Sequence, residues 1–116
     1  MRNDKPNLIV DLTFQFALDV IKFVDELEIS RKFVFANQIL KAGTSIGANV
    51  REAQNAESKA DFIHKIKIAA KEADEVEYFL MLCNKSENYP SNDTLLEDIK
   101  SIIKVLSKII SSSKSI

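Results

Sequence analysis

Glycine and proline are scarce in this chain, with two of each among 116 residues. Sheet-rich domains need these residues at their many turns, so their scarcity, with an apolar fraction of 46%, favours long uninterrupted helices. The chain has no tryptophan and a single cysteine, Cys83, which excludes an internal disulfide and fits a reducing compartment. We therefore expect one all-α domain spanning residues 1–116.

Neither sign of charge dominates, because 16 Lys and Arg stand against 17 Asp and Glu, for a net charge of −1. This balance gives no bulk attraction to nucleic acid or to an anionic membrane. Charges interrupt every apolar run well before the roughly 20 residues that span a bilayer, and no stretch has the pattern of a secretory signal. We expect a soluble, cytoplasmic protein with no membrane partner.

Apolar residues recur at helical spacing in four segments, separated by polar stretches. The polar stretches supply candidate N-caps, which are Ser30 for the second helix, Ser58 for the third, and Ser91 or Asn92 for the fourth. Four long helices with short links predict an antiparallel up-and-down four-helix bundle. The predicted helices span about 7–28, 31–56, 59–85 and 92–113.

The second and third predicted helices carry strict heptad seams. The seam residues are Ala36, Ile39, Gly43, Ile46, Val50 and Ala53 on the second helix, and Phe62, Ile66, Ala69, Ala73, Val76, Leu80 and Cys83 on the third. The first and fourth helices have wider apolar faces. Phe14 and Ile21 flank the first seam, and Leu96, Ile103 and Ile110 form a second stripe on the fourth helix. A broad core face is one interpretation; we favour the other, homo-oligomerisation, because a wider apolar surface needs a further partner.

Both glycines lie in the segment KAGTSIGANVREA, residues 41–53. A Walker-type phosphate loop needs a preceding strand and a Lys-Ser or Lys-Thr pair, and a dinucleotide loop needs three glycines; neither pattern is present. Gly43 and Gly47 stand four residues apart, so on a helix they share a face and permit close approach of a neighbouring backbone. The segment is therefore predicted to be the packing centre of the second helix.

A polar line runs beside each of the two seams. On the second helix the line consists of Gln38, Ser45, Asn49 and Glu52, and on the third helix it consists of Lys65, Glu72 and Glu75. If the two lines meet, hydrogen bonds between Asn49 and the carboxylates could set the register of the helices. The other interpretation is a binding or metal site.

Candidate catalytic groups are few. A di-iron bundle needs Glu-x-x-His pairs, but the single histidine, His64, follows Asp61 at that spacing. Cys83 lies on an apolar seam, and Ser45 has no histidine at helical spacing. We therefore predict a non-enzymatic protein with no catalytic residues, no metal and no cofactor.

Basic residues form two local groups, which are Arg31, Lys32, Lys41 and Arg51 in and before the second helix, and Lys100, Lys104 and Lys108 on the fourth. These rows could contact the phosphates of RNA or DNA. A solvated helix face explains the same pattern without a partner.

With these motifs in place, the chain resembles the bacterial four-helix bundle proteins first noticed as products of intervening sequences inside large-subunit ribosomal RNA genes. The resemblance is carried by GTSIGANVREAQNAESKADFIHK (43–65) and IAAKEADEVEYFL (68–80), with weaker support from FQFALDVI (14–21). It implies a homopentamer, arranged as a ring around a central channel. The accessory variability protein of diversity-generating retroelements is similar, and it binds nucleic acid and a reverse transcriptase.

The positions that match the family pattern are Gln38, Ser45, Asn49, Glu52, Lys71, Glu72 and Glu75. The chain departs from the retroelement proteins in one respect, because they are strongly basic and it is slightly acidic. No enzymatic activity is known for the family. The resulting hypothesis is a non-enzymatic, oligomeric interaction protein with RNA or DNA as its ligand. The alternative is a structural scaffold or adaptor for a protein partner with no nucleic-acid role.

Overall fold

The computed structural model describes residues 7–114, and they form four α-helices. These are α1 (Leu8–Ile29), α2 (Phe33–Ala53), α3 (Lys59–Lys85) and α4 (Asp93–Lys114). The molecule measures 47 × 22 × 21 Å. Because packed helix axes lie about 8–10 Å apart, the two short dimensions accommodate a two-by-two arrangement of helices along one long axis. The all-α, four-helix prediction is confirmed.

Each helix packs against two others, since α1 contacts α2, α2 contacts α3, α3 contacts α4, and α4 contacts α1. The two predicted seams supply the interior. All six seam residues of α2 are buried, and so are those of α3 apart from Phe62, which is half-buried against the core. No helix within residues 7–114 is long and apolar enough to cross a membrane.

The wide apolar faces of α1 and α4 have different surroundings. On α4, the second stripe of Leu96, Ile103 and Ile110 is half-buried and packs against the core of the same chain. On α1, Phe14 and Ile21 remain 60% and 46% exposed. The breadth of α4 is therefore an ordinary core face, whereas that of α1 leaves apolar surface in solvent.

Two predicted caps are present where the sequence places them. The Ser58 hydroxyl accepts a hydrogen bond of 3.0 Å from the Asp61 N–H at the start of α3. Asn92 Oδ1 accepts one of 2.9 Å from the Leu95 N–H at the start of α4, which decides between Ser91 and Asn92. Each side chain satisfies an amide that would otherwise lack a partner at the helix N-terminus.

The connection between α1 and α2 differs from the prediction. Ser30 is the C-cap of α1 rather than the N-cap of α2, and Arg31 adopts a left-handed conformation with φ 63°. The Arg31 N–H donates to the Glu28 carbonyl (2.9 Å) and the Lys32 N–H to the Leu27 carbonyl (2.8 Å), which is a Schellman motif. A left-handed residue cannot begin an α-helix, so α2 begins two residues after the predicted start.

The C-terminus of α2 also lies inside the predicted span. The helix ends at Ala53 rather than at residue 56. The N–H groups of Gln54 and Asn55 donate to the Arg51 and Glu52 carbonyls, three residues back, over 3.1 and 3.0 Å. This tighter pattern of hydrogen bonds terminates the α-helix.

Candidate interaction surfaces

The two glycines of α2 face α1 at close range. A Cβ atom built on Gly43 would lie 2.9 and 3.0 Å from the Cγ1 and Cγ2 atoms of Val20. One built on Gly47 would lie 3.3 Å from the carbonyl oxygen of Thr13. Both neighbours belong to α1, so the glycine face of α2 is the surface on which α1 rests.

Thr13 is the polar residue buried at this contact, with 1% of its surface exposed. Its hydroxyl donates a hydrogen bond of 2.7 Å to the Ile9 carbonyl of the same helix. The buried hydroxyl is therefore satisfied within α1, and it leaves the contact with Gly47 free of an unpaired polar group.

A small groove, here called the α1–α2 groove, opens beside the glycine contact and has a volume of about 140 Å³. Its lining consists of Val10, Thr13, Phe14, Ala17, Thr44, Gly47, Ala48 and Arg51. Exposed apolar side chains extend it along both helices, namely Phe14 (60% exposed), Leu18 (40%) and Ile21 (46%) on α1 and Leu40 (37%) on α2. Because Phe14, Leu18 and Ile21 are spaced by four and three residues, they form one continuous row.

The polar lines of α2 and α3 meet at one ion pair. Lys65 Nζ lies 3.0 Å from Glu52 Oε1, with both side chains partly in solvent. Asn49 instead donates to the Ser45 carbonyl (2.9 Å) and the Ser45 hydroxyl (3.1 Å) within its own helix. The contact across the helices is therefore made by Lys65, and the expected bonds from Asn49 to the carboxylates are replaced by bonds to Ser45.

The other residues of the two polar lines, which were also predicted to set the register of the helices, have different environments. Glu72 is half-buried on α3, while Glu75 and Gln38 are exposed. Exposed positions allow these side chains to contact a second chain as readily as a neighbouring helix.

The predicted nucleic-acid contacts lie on separate parts of the bundle. Arg31 and Lys32 are in the α1–α2 connection, where Lys32 Nζ lies 4.6 Å from the centre of the Tyr89 ring. Arg51 lines the α1–α2 groove, and Lys41 is exposed on α2. The α4 row, which consists of Lys100, Lys104 and Lys108, is exposed. The structure therefore distributes the basic residues rather than gathering them into one patch.

One basic contact was not predicted from the sequence. Lys67 on α3 and Lys114 at the end of α4 come together, and Lys114 lowers the pKa of Lys67, because its ammonium group can donate a hydrogen bond to the neutral amine of Lys67 and its positive charge disfavours the protonated form. These residues are 47 positions apart, so no local pattern indicates the contact. It places two cations side by side on the α3 and α4 side of the bundle.

A second groove, here called the α1–α4 groove, contains two adjoining cavities of about 350 and 260 Å³. Asp19 on α1 and Asp98 on α4 line both cavities. Burial raises the pKa of Asp98, and the negative charges of Asp19 and Glu97 raise it further. Sequence reasoning missed this pair, although the net charge of −4 on α1 is a signal for an acidic surface.

Comparison with known proteins assigns the chain to a family. The sequence pattern of the 23S rRNA-intervening sequence protein family matches residues 5–112. The chain belongs to this family. It is also similar to a crystal structure from Bacteroides thetaiotaomicron, described as a protein with unknown function from the S23 ribosomal protein family. The two share 42% identity and a TM-score of 0.83, over 88% of this chain and 97% of the other. No functionally curated protein matches the chain.

In this member of the 23S rRNA-intervening sequence protein family, the groups considered for chemistry lie apart. Cys83 is buried in the core, and burial raises the pKa of its thiol to about 11. His64 is exposed on α3. Within residues 7–114, no group of three or more His, Cys, Asp or Glu side chains is arranged to hold a metal ion. Cys83 is therefore a small apolar core residue at neutral pH.

Proposed function

We propose that this chain is a non-enzymatic interaction protein that works as a homo-oligomer, with the α1–α2 groove and its exposed apolar row as the contact between copies. The observation that carries the proposal is the row of Phe14, Leu18 and Ile21, which remains in solvent beside a groove of about 140 Å³. Large contiguous apolar surfaces on a folded chain mark interaction sites. Burial of about 25 cal/mol per Å² of apolar surface would favour association.

The finer arrangement follows from the resemblance to the family. It implies an antiparallel bundle and a ring of five chains. The pairs Val20 with Gly43 and Thr13 with Gly47 support the antiparallel direction, because residue numbers rise along α1 as they fall along α2. A five-membered ring requires two different surfaces on each chain, so a neighbour would cover the α1–α2 groove with another of its faces.

Light scattering coupled to size exclusion tests the self-association. We expect the wild type to have the mass of several chains, and five by the resemblance. The double variant Phe14→Ser, Ile21→Ser should approach the mass of one chain, because it removes the exposed row. The matched control is Tyr78→Ser, Met81→Ser on α3, whose original side chains are 60% and 48% exposed.

The control variant should keep the wild-type mass. A wild type that has the mass of one chain at about 100 µM, well above the micromolar range of specific association, would overturn the proposal. If the control variant loses its assembly and the Phe14→Ser, Ile21→Ser variant keeps it, the contact between copies lies on α3 instead. Circular dichroism verifies that each variant is folded.

A second function, binding of RNA or DNA, is favoured by one specific observation. Lys67 and Lys114 meet as like charges on a bundle whose α4 also carries the exposed row of Lys100, Lys104 and Lys108. A phosphate placed beside Lys67 would offset the repulsion that lowers its pKa. Phosphate contacts of this kind predict an affinity that falls steeply with salt.

Filter binding to structured RNA at low salt tests this function. We expect saturable binding that weakens in the Lys100→Gln, Lys104→Gln variant and not in the charge-matched control Lys22→Gln, Lys85→Gln. Absence of binding to RNA and DNA by a folded, assembled wild type would leave the alternative, a scaffold or adaptor for a protein partner. A reducing cytoplasm is the proposed location, since it keeps Cys83 as a free thiol.

A further inference from the structure

The connection between α1 and α2 presents apolar side chains that the bundle does not cover. Residues 25–34, here called the α1–α2 corner, comprise the last five residues of α1, the connection and the first two residues of α2. Ile29, Phe33 and Val34 in this corner are 83%, 51% and 72% exposed. A single exposed apolar residue is ordinary on a protein surface, but three within six positions of the chain indicate a contact surface.

The α1–α2 corner lies at the end of the bundle opposite to the α1–α2 groove. The groove is lined by side chains from the first half of α1 and the second half of α2, whereas the corner joins the end of α1 to the start of α2. Phe14 and Ile29 are 15 residues apart on α1, which is about 22 Å at 1.5 Å per residue. A chain therefore cannot cover its own groove with its own corner, but a second copy can.

The α1–α2 groove has room for one apolar side chain of the corner. Its volume of about 140 Å³ is close to the roughly 150 Å³ of an apolar cavity that accepts a benzene ring. Val10, Phe14, Ala17 and Ala48 supply apolar walls. An aromatic or branched aliphatic side chain from a second copy therefore fits the groove, and the other apolar side chains of the corner would then lie on the exposed apolar row of α1.

The charges of the corner and the groove are complementary. Three exposed carboxylates lie near the end of α1, those of Asp25, Glu26 and Glu28, and the last turn of this helix has no basic residue. Carboxylates are unfavourable there because the C-terminus of a helix is the negative end of its dipole. Arg31 and Lys32 follow in the chain and offset two of the three charges. The groove supplies a further cation, because the exposed side chain of Arg51 lines it.

We propose that the α1–α2 corner of one copy docks on the α1–α2 groove of the next copy. An apolar side chain of the corner enters the groove, and the acidic end of α1 lies beside Arg51 of the groove. The inference rests on the proposed self-association and names the second surface that it requires. Because each copy carries one corner and one groove, the same contact can repeat from copy to copy and close a ring.

Light scattering coupled to size exclusion tests the role of the corner. The corner variant, Ile29→Ser, Val34→Ser, should fall from the wild-type mass of several chains to the mass of one chain. Both original side chains are exposed, so the variant should keep the helix content of the wild type in circular dichroism. Ile29→Ser alone, at the most exposed of the three corner positions, is the second variant if the double variant does not fold. Tyr78→Ser, Met81→Ser is the matched control and should keep the wild-type mass.

A mixture of two variants tests the pairing of corner with groove. The groove variant, Phe14→Ser, Ile21→Ser, keeps an intact corner, and the corner variant keeps an intact groove. Each alone should have the mass of one chain. An equimolar mixture at about 100 µM should contain a complex of two chains, because one intact contact can form and no further copy can be added to it. A contact between two like surfaces predicts no such complex.

The outcomes separate this inference from the proposed self-association. A folded corner variant that keeps the wild-type mass would overturn the docking of the corner and leave the self-association intact. A mixture that stays at the mass of one chain would also overturn the docking of the corner on the groove. A wild type with the mass of one chain would refute the self-association itself and, with it, this contact. A corner variant of one chain together with a two-chain complex in the mixture supports the inference.

Discussion

Replacing Gly43 by alanine tests the close packing of α1 on α2. The new Cβ would lie 2.9 Å from Val20 Cγ1, 3.0 Å from Cγ2 and 3.3 Å from Cβ, distances at which one of the groups must move. Val20 is completely buried. Its β-branched side chain strongly prefers one χ1 rotamer in a helix, so it cannot rotate out of the way at low cost. The strain must therefore be relieved by separating the two helices.

Two opposing terms set the size of the effect. Inserting a methyl group into a packed core costs about 1–3 kcal/mol. Alanine is about 1 kcal/mol more favourable than glycine in a helix interior, which offsets part of that cost. The net loss is about 1 kcal/mol, and for a chain of this length it should lower Tm by about 4 °C.

Gly47 provides a matched control for the same substitution. Its added Cβ would lie 3.3 Å from the Thr13 carbonyl oxygen and 3.5 Å from Thr13 Oγ1, contacts that a shift of a few tenths of an ångström relieves. The gain in helix propensity then offsets the strain, so Gly47→Ala should change the stability by less than about 0.5 kcal/mol. Gly43→Ala must therefore be the less stable of the two variants.

Urea unfolding followed by circular dichroism gives the free energies, at one fixed protein concentration because self-association would shift the transition. Val20→Ala, alone and combined with Gly43→Ala, completes a double-mutant cycle for the contact between the two residues. The double variant should be more stable than the sum of the single effects by about 1 kcal/mol, since it removes the clashing methyl groups. If Gly43→Ala equals or exceeds Gly47→Ala in stability, α1 and α2 do not approach as closely as their geometry requires.

Three further changes have defined outcomes. Burial and neighbouring charges raise the pKa of Asp98 in the folded state, so the stability of the fold should fall as pH rises from the ordinary Asp pKa of about 3.9 through that raised pKa. Asp98→Asn should therefore raise Tm at pH 7 and leave it unchanged near pH 3, where Asp98 is protonated in both states. Cys83, with its pKa raised to about 11, should react with a thiol reagent at pH 8 at the rate of unfolding, so that dilute urea accelerates the reaction. Arg31→Gly should stabilise the chain by about 1 kcal/mol in urea unfolding, because a φ of 63° strains the backbone of arginine and does not strain that of glycine. A loss of stability would instead show that the Arg31 side chain makes a stabilising contact.

Much of the fold could be predicted because it depends on periodicity, which is local. Small and β-branched residues at heptad spacing predicted the buried seams of α2 and α3. The Ser58 and Asn92 caps could also be predicted, since a cap depends on three or four consecutive residues. The prediction of Ser30 as an N-cap was wrong because residue type alone does not reveal that the next residue, Arg31, turns left-handed to close α1.

The surfaces could be predicted less well, because they depend on which helices become neighbours. Periodicity assigns a residue to a face, but it does not state that Asp19 will face Asp98 or that Lys67 will meet Lys114. Each of these pairs is separated by more than 40 residues and carries like charges, so neither has the complementary pattern that suggests a contact. A hydrogen bond between the two polar lines was likewise predicted for Asn49, whereas in the structure Lys65, whose longer side chain reaches Glu52, makes that contact.

The size of the residues between helices explains where the two grooves form. At the α1–α2 contact, glycine at positions 43 and 47 brings the backbones together, so only a small groove of about 140 Å³ remains beside it. At the α1–α4 contact, the larger side chains of Phe16 and Phe23 line the space between the helices, and cavities of about 350 and 260 Å³ stay open. The glycine segment therefore does more than close one contact. By holding α1 against α2, it leaves the opposite side of α1 facing α4 across the wider groove, so separating α1 from α2 with Gly43→Ala should change the volume of the α1–α4 groove as well.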